Sequence, residues 1–145
     1  MRLVLQRVSR AEVRVVGEPV GRIGRGLLVL VGMEDGDTEV QVAKAAAKLA
    51  GLRVFADAQG LMNLDAGAVG AELLIVSQFT LAGSLEKGRR PSFSRAMDPA
   101  LASPLIDRLI QDLRQRDLRV STGRFGAVME VELVNDGPVT FVIDL

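Results

Sequence analysis

A chain of 145 residues, 48% apolar and 25% charged, is long enough for one packed domain and too apolar to stay disordered. Its 18 basic and 18 acidic side chains balance, so no overall field draws in nucleic acid and any RNA contact must come from a local patch. Histidine and cysteine are both absent, which removes the Ser-His-Asp and Cys-His nucleophiles, the imidazole base, the zinc cage and the disulfide. Catalysis near neutral pH would have to rest on backbone dipoles, hydroxyls, carboxylates or groups of the substrate. The N-terminus, Met1-Arg2-Leu3-Val4-Leu5-Gln6-Arg7, is charged again by its seventh residue, too short an apolar run for a signal peptide, and no stretch nears the ~20 residues that span a bilayer. A soluble, cytoplasmic domain is expected.

In chain order, Val13 and Val15 alternate with Glu12 and Arg14, the period-two pattern of a half-buried strand. Gly17-Glu18-Pro19 reads as a turn, and the glycine-rich stretch 21–26 as a turn between strands rather than a phosphate loop, since no helix follows it. Gly26–Gly32 is a continuous apolar run that suits a strand buried on both faces. Thr38 with Gln41 forms a capping box, and Val42, Ala45, Ala46 and Leu49 follow at helical spacing, predicting a helix over Thr38–Ala50. Leu52–Phe55 is a short strand, 57–60 a turn, and Ala71–Thr80 another apolar strand. A second helix starts at Asp98-Pro99 or Ser103-Pro104, with Leu105, Ile106, Leu109, Ile110 and Leu113 as its buried stripe and Pro104 within the first turn or two. Strands are expected at Leu118–Ser121, Ala127–Val134 and Val139–Asp144. About seven strands and two helices make an α+β domain over 1–145, with a curved, mostly antiparallel, barrel-like sheet and both helices on one side.

Three segments carry candidate chemistry. Ser77-Gln78-Phe79-Thr80 lies where a buried strand runs out. It is either a plain strand exit with Phe79 in the core, or a place where fixed amides and hydroxyls face a pocket and stabilise the oxyanion of ester cleavage. Thr80 lacks a histidine to activate it as a nucleophile. Asn135-Asp136-Gly137-Pro138 has hairpin-turn composition, and a Gly-Pro bond is trans by default. The stretch 86–91, with Lys87, Arg89 and Arg90, is the densest positive segment, either a solvated loop or a phosphate contact; Arg124 adds a second cationic turn. The acidic residues form no close pair, so neither a metal nor a cofactor is expected.

These segments resemble the D-aminoacyl-tRNA deacylases. The likeness extends over nearly the whole chain: Gln6-Arg7-Val8, 24–32, Leu52–Phe55, Met62-Asn63-Leu64, Ser77–Leu81, Gly88–Phe93, Thr122–Phe125 and Asn135–Thr140. The resemblance implies a proofreading hydrolase that releases D-amino acids, and glycine, from the 3′ adenosine of tRNA. It implies a homodimer whose partners are tRNA and a second copy, with no DNA and no membrane. Ser77, Gln78, Phe79 and Thr80 would form the catalytic segment, its amides near Phe79 and Thr80 holding the ester and the adenosine. A cis Gly137-Pro138 bond from the other subunit would turn two carbonyls toward the substrate α-carbon and exclude L side chains. Arg7 would brace that loop, Met129 would contact substrate, and Lys87, Arg89, Arg90 and Arg124 would meet tRNA. The tRNA 2′-hydroxyl would supply the reactive group. Leu61 stands where the family usually has lysine, Ile106 and Leu109 where it has an aromatic pair, and Val128 where an acid is common.

Overall fold

A computed structural model describes residues 1–86 and 88–145, so Lys87 lies outside the described residues. Strand β1 (Arg2–Val15) is the longest-paired element: antiparallel β3 (Gly26–Gly32) lies along its first half, β2 (Glu18–Ile23) along its second, and β8 (Glu130–Asp144) along the opposite edge. Helix α1 (Glu39–Ala50) and the short antiparallel pair β4 (Phe55–Ala56) and β5 (Met62–Leu64) come next. Then β6 (Glu72–Ser77), a 3₁₀ turn (Phe79–Ala82), α2 (Pro99–Arg114) and β7 (Arg119–Thr122) complete the order.

Most pairings are antiparallel, but β3, β6 and β7 run parallel to one another. Parallel neighbours need crossover connections, which α1 and α2 supply. The sheet curves until β7 meets β2: Ser121 Oγ donates to Arg22 O at 3.0 Å, and a Cβ on Gly21 would lie 2.2 Å from Thr122 O. Only glycine permits that approach, so the barrel is nearly closed. Its inner core holds Val8, Val13, Ile23, Leu28, Leu74 and Val76. A larger core, with Leu3, Leu5, Leu73, Leu49, Leu109 and Leu113, lies between the sheet and the two helices. Burial of each such side chain stabilises the fold by about 1.5–3 kcal/mol.

The capping box is present as expected: Thr38 Oγ1 accepts from Val40 N at 3.2 Å and Gln41 Oε1 accepts from Thr38 N at 2.9 Å. Asp98 caps α2, accepting from Ala100 N at 2.8 Å, so the first of the two candidate starts is used and Pro104 sits inside the helix. The apolar stripe differs by one residue, since Ala102 is buried and Leu105 only partly so.

Several expectations fail. The first turn is Val16-Gly17, both at positive φ (53° and 79°), and Glu18-Pro19 already belongs to β2. The supposed turn over 21–26 is therefore mostly strand, with Gly24-Arg25 as the reversal. The strand expected to reach Thr80 stops at Ser77 because the chain tightens into the 3₁₀ turn.

Asn135–Pro138 is not a hairpin turn. β8 continues on both sides of it against β1, with Gln6 opposite Thr140 and Val8 opposite Asn135, so residues 136–139 face Arg7 alone. The excess chain protrudes as a wide bulge, and the Gly137-Pro138 bond within it is cis. Arg7 ties the bulge down: Nε donates to Asp136 O at 3.2 Å and Oδ2 at 2.9 Å, while Nη1 donates to Val54 O at 2.5 Å. Asn135 Nδ2 donates to Arg7 O and Val139 O at 2.9 and 3.2 Å.

Arg2–Asp144 (2.6 Å) and Arg10–Glu132 (2.5 Å) pin the register on either side of the bulge. In each pair the arginine's hydrogen bond holds the carboxyl below the usual carboxylate range. Depressed carboxylates stabilise above their unfolded range and lose that contribution as pH falls through the depressed values.

Two substitutions test these assignments. Pro104 is exposed, yet it denies α2 the hydrogen bond that residue 104 would donate to Ala100 O. Pro104→Ala should raise stability by about 1–2 kcal/mol in urea unfolding, the helical gain being partly offset by a freer unfolded chain. Arg7→Met keeps the aliphatic stem but strands Val54 O and the bulge carbonyl. It should cost about 1–3 kcal/mol and speed amide exchange over residues 135–139.

Candidate active site

Because β3, β6 and β7 are parallel, their carboxyl ends leave the sheet along one edge, where α/β sheets place their ligands. Val31 and Met33 arrive from β3, Ser77, Gln78 and Phe79 from β6, and Phe125–Met129 from the segment after β7. Met97, Pro99, Ala102 and Ile106 close the far wall, since α2 begins there. Together they enclose a cavity of about 360 Å³. No titratable side chain lines it among the described residues.

The polar edge comes from the strand exit. Gln78 N donates to Val31 O at 2.8 Å, which holds the end of β6 against β3. Leu81 N donates to Gln78 O at 3.2 Å and begins the 3₁₀ turn. The amides of Phe79 and Thr80 precede that first bond, so among the described residues no backbone carbonyl takes them up. Gln78 Nε2 donates to Thr80 Oγ1 at 2.5 Å, which fixes the hydroxyl next to those amides. Phe79 is not in the core. It is 59% exposed, with its ring edge-on to Phe93 at 5.1 Å and 62°.

The cavity thus unites Ser77, Gln78, Phe79 and Met129; Thr80, next in the chain, does not line it. Met129 also packs on Gly123, where a Cβ would lie 2.7 Å from its sulfur. Arg124 is exposed beside Phe125. Arg89 and Arg90 are exposed on a loop closed by Ser84 and Ser92, whose backbones exchange bonds of 2.8 and 3.0 Å. Neither they nor Arg124 form an ion pair among the described residues.

Arg7, Gly137 and Pro138 do not join this group within one chain. The bulge lies three strands across and four residues along from Ser77, on the order of 20 Å by standard sheet spacing. Met129 therefore stands with the cavity and not with the bulge.

Sequence reasoning missed Phe93, Phe125 and Met97 as neighbours of the site. A signal existed: three of only five phenylalanines, Phe79, Phe93 and Phe125, fall outside strands and helices of the core and cluster here. Among the described residues no group of three or more acidic side chains is placed to hold a metal ion. No helix among them is long and apolar enough to cross a membrane.

Comparison with known proteins places the chain in a family. The family model described as D-Tyr-tRNA(Tyr) deacylase matches residues 4–144. A D-aminoacyl-tRNA deacylase of Syntrophotalea carbinolica is 56% identical over 99% of this chain and 97% of its own. One from Lactobacillus delbrueckii subsp. bulgaricus is 53% identical over all of both chains. Among solved structures, the c-Myc DNA Unwinding Element Binding Protein superposes with a TM-score of 0.93 at 38% identity, covering 100% of this chain and 99% of that one. A probable eukaryotic D-amino acid tRNA deacylase superposes with a TM-score of 0.88 at 22% identity, over 99% and 98%, a likeness of fold. A match that spans nearly every residue, with both signature segments inside it, means that this chain belongs to the D-Tyr-tRNA(Tyr) deacylase family.

Proposed function

We propose that this chain hydrolyses the ester joining a D-amino acid, or misattached glycine, to the 3′-terminal adenosine of tRNA. Water is consumed, the acyl group leaves as the free amino acid, and the ribose regains its hydroxyl. The observation that carries this reading is the cavity at the end of β6, apolar in its walls and, among the described residues, edged by amides without a backbone partner instead of titratable groups. Its setting in a chain 56% identical to a D-aminoacyl-tRNA deacylase supplies the substrate class.

The chemistry follows from what the site contains. Ester cleavage develops negative charge on the acyl oxygen, and the amides of Phe79 and Thr80 are donors held in place before the reaction. Their rigidity comes from the Gln78 N–Val31 O bond and the 3₁₀ turn, not from a side chain that must reorganise. Among the described residues Thr80 Oγ1 has no base beside it, and it accepts from Gln78. The 2′-hydroxyl of the terminal ribose, adjacent to the ester, assists by activating the water that attacks the acyl carbon, and the 3′-oxygen leaves with a proton from that water. Phe79 and Phe125 flank the cavity and offer faces for the adenine. Arg89, Arg90 and Arg124, with Lys87, supply phosphate contacts in a chain of zero net charge.

The same reading assigns the chiral filter to a homodimer. An exposed bulge about 20 Å from its own cavity has no role there, but it can enter the cavity of a second copy. Val134, Phe141 and Val142 are exposed on β8 beside it, an apolar edge that a second copy would cover. With Gly137 and Pro138 carbonyls facing the α-carbon, an L side chain collides with backbone, while hydrogen or a D side chain is accommodated. One domain over residues 1–145, acting in the cytoplasm where tRNA is charged, completes the proposal.

The deciding experiment compares purified protein on D- and L-aminoacylated forms of one tRNA. Deacylation of the D form alone is expected, and Thr80→Ala should keep measurable turnover in a folded protein. Complete loss with Thr80→Ala would assign the chemistry to that hydroxyl. Loss of neither ester would favour a second reading, a non-catalytic nucleic-acid-binding module. The 38% identical structure that is named for binding a DNA element gives that reading its specific support.

A further inference from the structure

We propose that Phe93 is a positioning residue that fixes the ester-facing turn and ties it to the cationic loop; the inference rests on the deacylase reading above. Phe93 does not line the cavity. Its ring instead meets both ends of the Phe79–Ala82 turn. At the start, the Phe79 ring stands edge-on to it at 5.1 Å. At the finish, Gly83 packs so closely that an added Cβ would lie 2.9 Å from Phe93 Cε1, 3.2 Å from Cδ1 and 2.9 Å from Thr80 O.

A ring wedged at both ends of one turn limits how far that turn can roll. The amides of Phe79 and Thr80 sit in its first residues, so their direction depends on the wedge. The aromatic contact also has a preferred geometry, since the ring edge is positive and the face negative. Gly83 is required for proximity, not for an unusual backbone: its φ is −69°, open to any residue.

Phe93 also links that turn to the cationic loop. It directly follows Ser92, whose backbone is bonded in both directions to Ser84. Arg89 and Arg90 lie between those two serines, three and two residues before Ser92. Two residues after Phe93, Arg95 Nη2 pairs with Glu34 Oε1 at 2.7 Å and Arg95 O accepts from Asp35 N at 3.0 Å. The loop is thus anchored on one side to the segment after β3 and wedged on the other against the catalytic turn. A phosphate that draws on Arg89 or Arg90 pulls on a segment whose next aromatic residue braces the oxyanion amides.

The test uses Phe93→Leu and Phe93→Tyr in the intact protein, with kcat and KM measured on one D-aminoacyl-tRNA. Phe93→Leu should lower kcat by about tenfold, since misaligned donors cost rate rather than affinity, and change KM by less than about threefold. Phe93→Tyr keeps the edge contact and should restore kcat to within about twofold of the parent. A loss borne by KM alone would overturn the proposal, as would equal losses in both variants or unchanged kcat in Phe93→Leu. Fluorine NMR of 4-fluorophenylalanine-labelled protein gives a readout that needs no activity. The Phe79 resonance should shift in Phe93→Leu, and an unmoved resonance would remove the brace outright. A parent protein without D-selective deacylation would overturn the deacylase reading and the proposal's catalytic half, and the NMR result would still decide whether the brace exists.

Discussion

Parallel pairing of β3, β6 and β7 is the constraint on which the rest depends. Three strands that end on one edge bring Val31, Ser77 and the Phe125–Met129 segment together, although they are distant in sequence. The crossovers that parallel pairing demands are α1 and α2, and the start of α2 becomes the cavity's outer wall. An antiparallel arrangement of the same strands would send Ser77 and Thr122 to opposite ends of the sheet. The site is therefore a product of topology more than of any individual side chain.

A second constraint acts on the opposite edge. β1 is paired on both sides along nearly all of its length, so the three residues that β8 has in excess there have nowhere to go but outward. Arg7 is the one residue that faces them, and its side chain is only 13% exposed. Its guanidinium binds carbonyls of two different segments, Asp136 and Val54, a task for which a planar fork of donors is suited and a lysine is not. Rigid presentation of backbone, with no side chain of its own reading the ligand, is what the proposed steric filter for chirality requires.

What was legible in the sequence was local. The Thr38–Gln41 box, the Val42–Leu49 stripe, the Asp98-Pro99 start and the buried Gly26–Gly32 run all follow from short-range periodicity and capping chemistry. What was not legible depended on distant partners. β2 carries Pro19, Gly21 and Gly24 around it and looks like a turn, yet Gly21 is there because β7 passes so near. Asn135–Pro138 has turn composition but sits in a continuous strand, because β1 supplies the pairing on either side. The signature residues were found through resemblance; their geometry was not. Phe79 was readable as core until the 3₁₀ turn and Phe93 gave it an exposed place at the rim.

The chain has no histidine or cysteine and, among the described residues, no titratable side chain lines the cavity, so the proposed function makes one central claim: the protein supplies position and dipoles, and the 2′-hydroxyl of the substrate assists the reaction. The most direct measurement is single-turnover deacylation of D-aminoacyl-tRNA ending in ordinary adenosine, set against the same tRNA ending in 2′-deoxyadenosine. The account predicts that the deoxy substrate binds with nearly unchanged affinity and is almost inert. Equal rates on the two substrates would contradict it and would place the reactive group on the protein.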